Sequence, residues 1–209
     1  MTPYDWIRPL DEMHPNAGCE LDYETPFELL VAVILSAQCT DKRVNIVTKD
    51  LFEKYNTPEA FATLPQKKLE QAIKSCGFYH DKARHIISAA QTICDTFGGE
   101  VPSSLEELIT IPGVGRKTAN VMLAEAFGKD AIAVDTHVFR VSHRLGLSEG
   151  KDPFAVESDL CKTFPQEVWS HLHHLLIHHG RYICKAQSPK CEDCKLSEKC
   201  SYYAENIKK

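Results

Sequence analysis

The chain has no apolar run approaching the roughly 18 uninterrupted residues that a membrane-spanning helix needs. It also lacks a secretory start, because MTPYDWIRPLDEMHP carries acids and prolines where a signal would have a basic end and an apolar stretch. These absences exclude membrane-embedded and exported classes and predict a protein of the bacterial cytoplasm. Alternating apolar and polar residues, hairpin turns and low-complexity linkers are missing as well, which leaves no basis for a sheet. The tetrad Ala131–Val134 is the one stretch that reads as a short strand, and a lone strand builds no sheet. Positive charge is also short, with 24 Lys and Arg against 29 Asp and Glu and a formal net charge of −5. Taken alone, that balance opposes nucleic-acid binding. Phosphate contacts depend on local placement, however. Between 116 and 144, Arg116, Lys117, Lys129, Arg140 and Arg144 outnumber Glu125, Asp130 and Asp135. A basic face on an acidic body is therefore compatible with this composition.

What is present is a succession of helices over 209 residues, enough for one large domain or two small ones. Thr25-Pro-Phe-Glu28 has the form of a capping box with proline at the first helical position, ahead of the apolar run Leu29 to Leu35. Helical spacing continues through 41–55, from Thr57-Pro58, through Leu69, Ile73 and Cys76 up to Gly77, and over 81–97. Ser103-Ser-Leu-Glu106 reads as a second capping box, opening a short helix that reaches Ile109. After the turn Ile111-Pro-Gly-Val-Gly115, helices fit 116–127, 136–145, 153–164 and 167–179. The expected fold class is all-α.

Nine cysteines are present, an odd number. Cys19, Cys39, Cys76, Cys94 and Cys161 lie scattered among apolar or helical neighbours and read as small buried hydrophobes of a reducing compartment. Cys184, Cys191, Cys194 and Cys200 instead crowd the tail with the spacing C-x6-C-x2-C-x5-C. Four thiolates so close in sequence converge only by wrapping a common centre, either zinc or a [4Fe–4S] cluster. Zinc usually takes two C-x2-C knuckles, whereas the loose outer spacings here suit the wider cube. Such a centre would order the tail and pin Lys185-Ala-Gln-Ser-Pro-Lys190 as a protruding basic loop, ready to meet phosphate at little entropic cost.

In Ile111-Pro-Gly-Val-Gly-Arg-Lys117, Gly113 and Gly115 allow positive φ and a close approach of backbone to a ligand. The exposed N–H groups at the following helix start favour an anion, and a tight helical corner is the plain alternative. Lys117, beside Arg116 in the first turn, is electrostatically disfavoured as an ammonium, and partial burial would add to the effect. A neutral amine there can attack a carbon centre; otherwise Lys117 contacts phosphate. Asp135 either caps the helix after it or stabilises a developing cation. Among the histidines of 171–179, His174 and His178 stand at i, i+4, yet no acidic third ligand or H-E-x-x-H pattern accompanies them, so packing and hydrogen bonding is the expected use.

Together, IPGVGRKTAN (111–120), AVDTHVFR (133–140), HHGRYIC (178–184) and the four-cysteine tail closely resemble the endonuclease III family of helix-hairpin-helix DNA glycosylases. LLVAVILSAQCTD (29–41) and GFYHDKA (77–83) are similar to its N-terminal half. The resemblance runs from about residue 20 to 203. It implies two helical domains, 22–130 with the hairpin at about 104–128, and 1–21 with 131–209, and DNA in the cleft between them. It further implies a [4Fe–4S] cluster on Cys184, Cys191, Cys194 and Cys200, Lys117 as Schiff-base nucleophile and Asp135 as the essential acid. The implied activity is release of oxidised pyrimidines from double-stranded DNA, by a monomer associated with the nucleoid when bound, followed by β-elimination at the 3′ phosphodiester. Gln38 would fill the gap left by a flipped base, and Phe78 stands where a leucine wedge is usual. Gly113, Gly115, Arg116, Lys185 and Lys190 would hold the backbone. An adenine-mismatch glycosylase shares the hairpin and the cluster but lacks the hairpin lysine. A non-catalytic metal-stapled DNA-binding module would bind without cutting.

Overall fold

The computed structural model describes residues 2–207. Twelve α-helices follow one another, and no strand occurs among the described residues. The first six are α1 (Tyr4–Met13), α2 (Pro26–Ser36), α3 (Asp41–Phe52), α4 (Pro58–Ala62), α5 (Gln66–Ile73) and α6 (Tyr79–Phe97). The rest are α7 (Leu105–Leu108), α8 (Arg116–Phe127), α9 (Thr136–Leu145), α10 (Pro153–Thr163), α11 (Trp169–Tyr182) and α12 (Ser201–Asn206). Among the described residues no helix is long and apolar enough to cross a membrane. The chain divides into two compact units, one formed by Glu20–Gly128 and the other by the two chain ends, up to Cys19 and from Lys129 onward.

In the 20–128 unit, α2 is the central element. Every residue from Phe27 to Leu35 is buried, the pattern of a helix apolar all round. Its start is fixed by the expected capping box: the Glu28 N–H donates to Thr25 Oγ1 at 3.2 Å, and the Thr25 N–H donates to Glu28 Oε2 at 3.3 Å. Around α2 pack α3, α6 and α8, while α4 and α5 cover α6. In place of the second capping box expected at Ser103, a side-chain cap stands one residue later. Ser104 Oγ accepts from the Glu107 N–H, and α7 then ends at Leu108.

In the unit of the chain ends, α11 lies against α1 and α9, and α12 packs on α9. Helix α1 has no counterpart in the sequence reading, which weighed this segment only against a secretory start. Pro3 precedes the helix and Pro9 sits inside it. Burial of Trp6, Ile7 and Leu10 in this unit's core offsets the lost donor at Pro9. The tetrad 131–134 is buried but belongs to no strand among the described residues. Of the five scattered cysteines only Cys76 is fully buried; Cys19, Cys39, Cys94 and Cys161 are half-exposed.

Candidate functional site

The hairpin runs from α7 to α8. Gly113 takes φ +83° and its α-carbon faces His85 so closely that an added Cβ would lie 2.9 Å from His85 Cβ. Glycine is thus required there on two counts. Gly115 differs from expectation: its φ is −92°, and open space surrounds the position of a Cβ. Its role is to precede α8 without a side chain. No side chain caps that helix and no acid occupies its first turn, so the leading N–H groups remain presented to an anion. Gly113, Gly115, Arg116 and Lys117 are all exposed. Lys117 forms no hydrogen bond or ion pair among the described residues, and its side chain is exposed rather than partly buried.

A concavity in the same unit is lined by Ala37, Gln38, Phe78, Lys82, Gly113 and Thr118, among others. It therefore joins both gap-filling candidates to the hairpin and to the neighbour of Lys117. Gln38 has φ 53° and Phe78 has φ 45°, the left-handed region that residues with a Cβ rarely adopt. Both are exposed, Phe78 to 64 %. A strained backbone that presents an unsupported aromatic ring to solvent is a mark of function rather than of stability. A second, larger groove of this unit is bordered by Asp22, Glu24, Glu28 and Glu53, a lining that repels phosphate.

In the unit of the chain ends, Asp135 caps α9. Its Oδ1 accepts from the N–H groups of His137 and Val138, both at 2.8 Å. Capping and a role toward a cation are compatible, since both bonds use a single oxygen. His137 is held neutral to lower pH chiefly by burial, with Asp135 opposing and Arg140 and Arg181 adding to it.

Cys184, Cys191, Cys194 and Cys200 line one small cavity with His179, Tyr202 and Tyr203. Burial, together with mutual repulsion, raises Cys191 and Cys200 and pushes Cys194 up to about 11. Thiols raised in this way become ligands when a cationic centre favours their thiolates. Donors already point at the sulfurs: Arg144 Nη1 lies 3.4 Å from Cys184 Sγ, and His179 Nε2 lies 3.6 Å from Cys194 Sγ. His179 is pushed down to about 4 by burial and by His14, whose Nε2 is 3.1 Å from its Nδ1. A neutral His179 protonated at Nε2 donates to the sulfur while His14 donates to Nδ1. No three of the four sulfurs lie within 4.8 Å of one another among the described residues. A tetrahedral zinc site, with Zn–S near ~2.3 Å, would draw them well inside that limit. The donor set thus fits an iron–sulfur cluster better than one zinc ion.

Lys185 and Lys190 are exposed on the loop between the first two cysteines. The sequence reading missed the arginines that shape this loop. Arg144 donates to Lys185 O at 2.7 Å and Ala186 O at 3.0 Å, and stacks 4.4 Å from the centre of the Tyr202 ring. Arg140 binds Gly180 O at 2.8 Å and Cys184 O at 3.1 Å. Nothing in the local sequence distinguishes these arginines from surface ones. His178 bonds Gly18 O at 3.2 Å.

Known proteins match this arrangement along most of the chain. The model of the HhH-GPD superfamily base excision DNA repair protein matches residues 31–166. Endonuclease III of Bacillus subtilis (strain 168) is 54% identical over 192 residues, which is 91% of this chain and 88% of that protein. A solved non-covalent endonuclease III–DNA complex superposes with a TM-score of 0.93 at 50% identity, covering 100% of both chains. A trapped endonuclease III–DNA covalent intermediate gives 0.92 at 50% identity, covering 98% of this chain and 99% of the other.

Proposed function

The chain belongs to the endonuclease III family of the HhH-GPD superfamily of base excision DNA repair proteins, and from that premise we propose that it is a DNA glycosylase and abasic-site lyase acting as a monomer on oxidised pyrimidines in double-stranded DNA. The observation that carries the reading is the concavity that gathers Gln38, Phe78, Gly113 and Thr118 beside the exposed, unpaired Lys117.

In this reading the base leaves the duplex stack, and Gln38 and Phe78 occupy the space vacated. The Lys117 amine attacks C1′, the glycosidic electron pair departs with the base, and the sugar opens to an imine on Lys117. Loss of a C2′ proton then expels the 3′ phosphate. The Asp135 carboxylate balances positive charge as it develops on the sugar. Gly113, Gly115 and Arg116 hold backbone phosphate at the start of α8, and Lys185 and Lys190 hold it from their loop. Cys184, Cys191, Cys194 and Cys200 would bind a [4Fe–4S] cluster, which supplies cross-linking of the tail rather than chemistry at the sugar.

Borohydride trapping on a duplex bearing one thymine glycol tests the assignment. The wild-type protein should form a covalent adduct that Lys117→Ala abolishes. An iron-loaded, DNA-binding wild type that forms none would overturn the lyase assignment.

A further inference from the structure

Lys82 is a lysine only 5 % exposed, in the second turn of α6. Its Nζ donates to Leu35 O at 2.8 Å and to Cys76 O at 2.6 Å. The two acceptors belong to different elements. Leu35 lies in the last turn of α2, three residues before Gln38, and Cys76 ends the 3-10 turn Lys74–Cys76, two residues before Phe78. The backbone N–H of Lys82 also donates to Phe78 O at 3.0 Å. One residue therefore fastens the base of both left-handed tips.

An ammonium at this point has no need of a protein anion, because helix-end carbonyls supply the negative end of a dipole. Burial is the largest influence on Lys82 and pushes its pKa down, against the Cys39 and Cys76 thiols, which push it up. A buried cation of this kind is retained only where its bonds matter, since an apolar side chain of the same length would be cheaper to bury. Gln38 and Phe78 sit in backbone conformations that persist only where the surroundings over-determine them. Lys82 is that surrounding for both.

Resting on the glycosylase reading, we propose that Lys82 is the positioning residue for extrusion of the damaged base: it holds Gln38 and Phe78 in the left-handed conformation so that they enter the duplex without ordering first. The role belongs to base removal and not to imine chemistry. An abasic site has no base to unstack, so strand cleavage there draws far less on the two tips.

The test compares single-turnover excision from a thymine-glycol duplex with strand cleavage at a preformed abasic site in the same sequence. Lys82→Met is expected to slow excision at least about tenfold, equal to ~1.4 kcal/mol of barrier, and abasic-site cleavage less than about threefold. In a Gln38→Ala/Phe78→Ala background the same substitution should slow excision less than about twofold, because both tips through which it acts are gone. If Lys82→Met does not fold, Lys82→Gln carries the comparison. A folded variant that excises like wild type, one that loses both steps by the same factor, or one whose effects multiply with the Gln38→Ala/Phe78→Ala double substitution would overturn the proposal. A wild type inactive on both substrates would overturn the parent reading, and this inference with it.

Discussion

Replacing Gly113 by alanine separates what the hairpin needs in order to fold from what it needs in order to bind. The backbone at 113 has φ +83°, where a residue with a Cβ costs about 1–2 kcal/mol. The new methyl would also sit 2.9 Å from His85 Cβ and 3.2 Å from His85 Cγ. A Cβ is fixed by its own backbone, so no rotamer change of His85 relieves the contact, and either α6 or the hairpin must move. Overpacking of this type costs about 1–3 kcal/mol. Near the middle of the combined range, at ~3 kcal/mol, a protein of this size loses about 6–12 °C in Tm. Gly115→Ala is the matched control. With φ −92° and open space around the Cβ, it forfeits only the preference of a helix cap for glycine, about 1 kcal/mol. Its methyl would stand where a phosphate approaches the α8 N–H groups. The expected pattern is a crossed one in thermal unfolding by circular dichroism and in abasic-analogue duplex binding: Gly113→Ala falls furthest in Tm, while Gly115→Ala loses affinity with Tm nearly kept. A Gly113→Ala protein that melts no lower than Gly115→Ala would refute the steric argument.

Two further outcomes follow from the cysteine-bearing unit. Lys185→Gln combined with Lys190→Gln should weaken binding to all duplexes alike and reduce the slope of log affinity against log salt by about 2, one phosphate contact each; an unchanged slope in a salt titration would remove the loop from the interface. Cys194→Ser should purify with its iron content lost and with the 185–190 loop newly open to protease, whereas a variant that keeps its iron by metal analysis would exclude Cys194 as a ligand.

Local patterns in the sequence were enough for most of the helices, because their signals are short-range. Thr25 and Glu28 announce α2 within four residues, and Gly128 closes α8 where expected, in the left-handed conformation. Helix α1 was illegible because its stability is tertiary: Trp6, Ile7 and Leu10 are ordered by residues more than a hundred positions away. The site divides in the same manner. The roles proposed for Lys117 and the four tail cysteines are legible in residue type and spacing. Lys82, Arg140 and Arg144 do not, because a lysine or arginine that ties distant carbonyls has the same local sequence as one in solvent. At Gly115 one of the two anticipated uses fails: φ is −92°, so the torsion asks nothing of glycine, and the open approach to the backbone is what is left.

The arrangement of α1 also sets an order of events at the ribosome. Its buried side chains share one core with α9 and α11, and α11 lies against it; those helices are translated only after the whole of Glu20–Gly128 has been synthesised. At about 5–20 residues per second, Trp6, Ile7 and Leu10 remain uncovered for on the order of ten seconds. The middle of the polypeptide can assemble during that interval while its first helix waits. A nascent chain stalled before α9 would carry that apolar segment indefinitely, in the form that chaperones and proteases recognise.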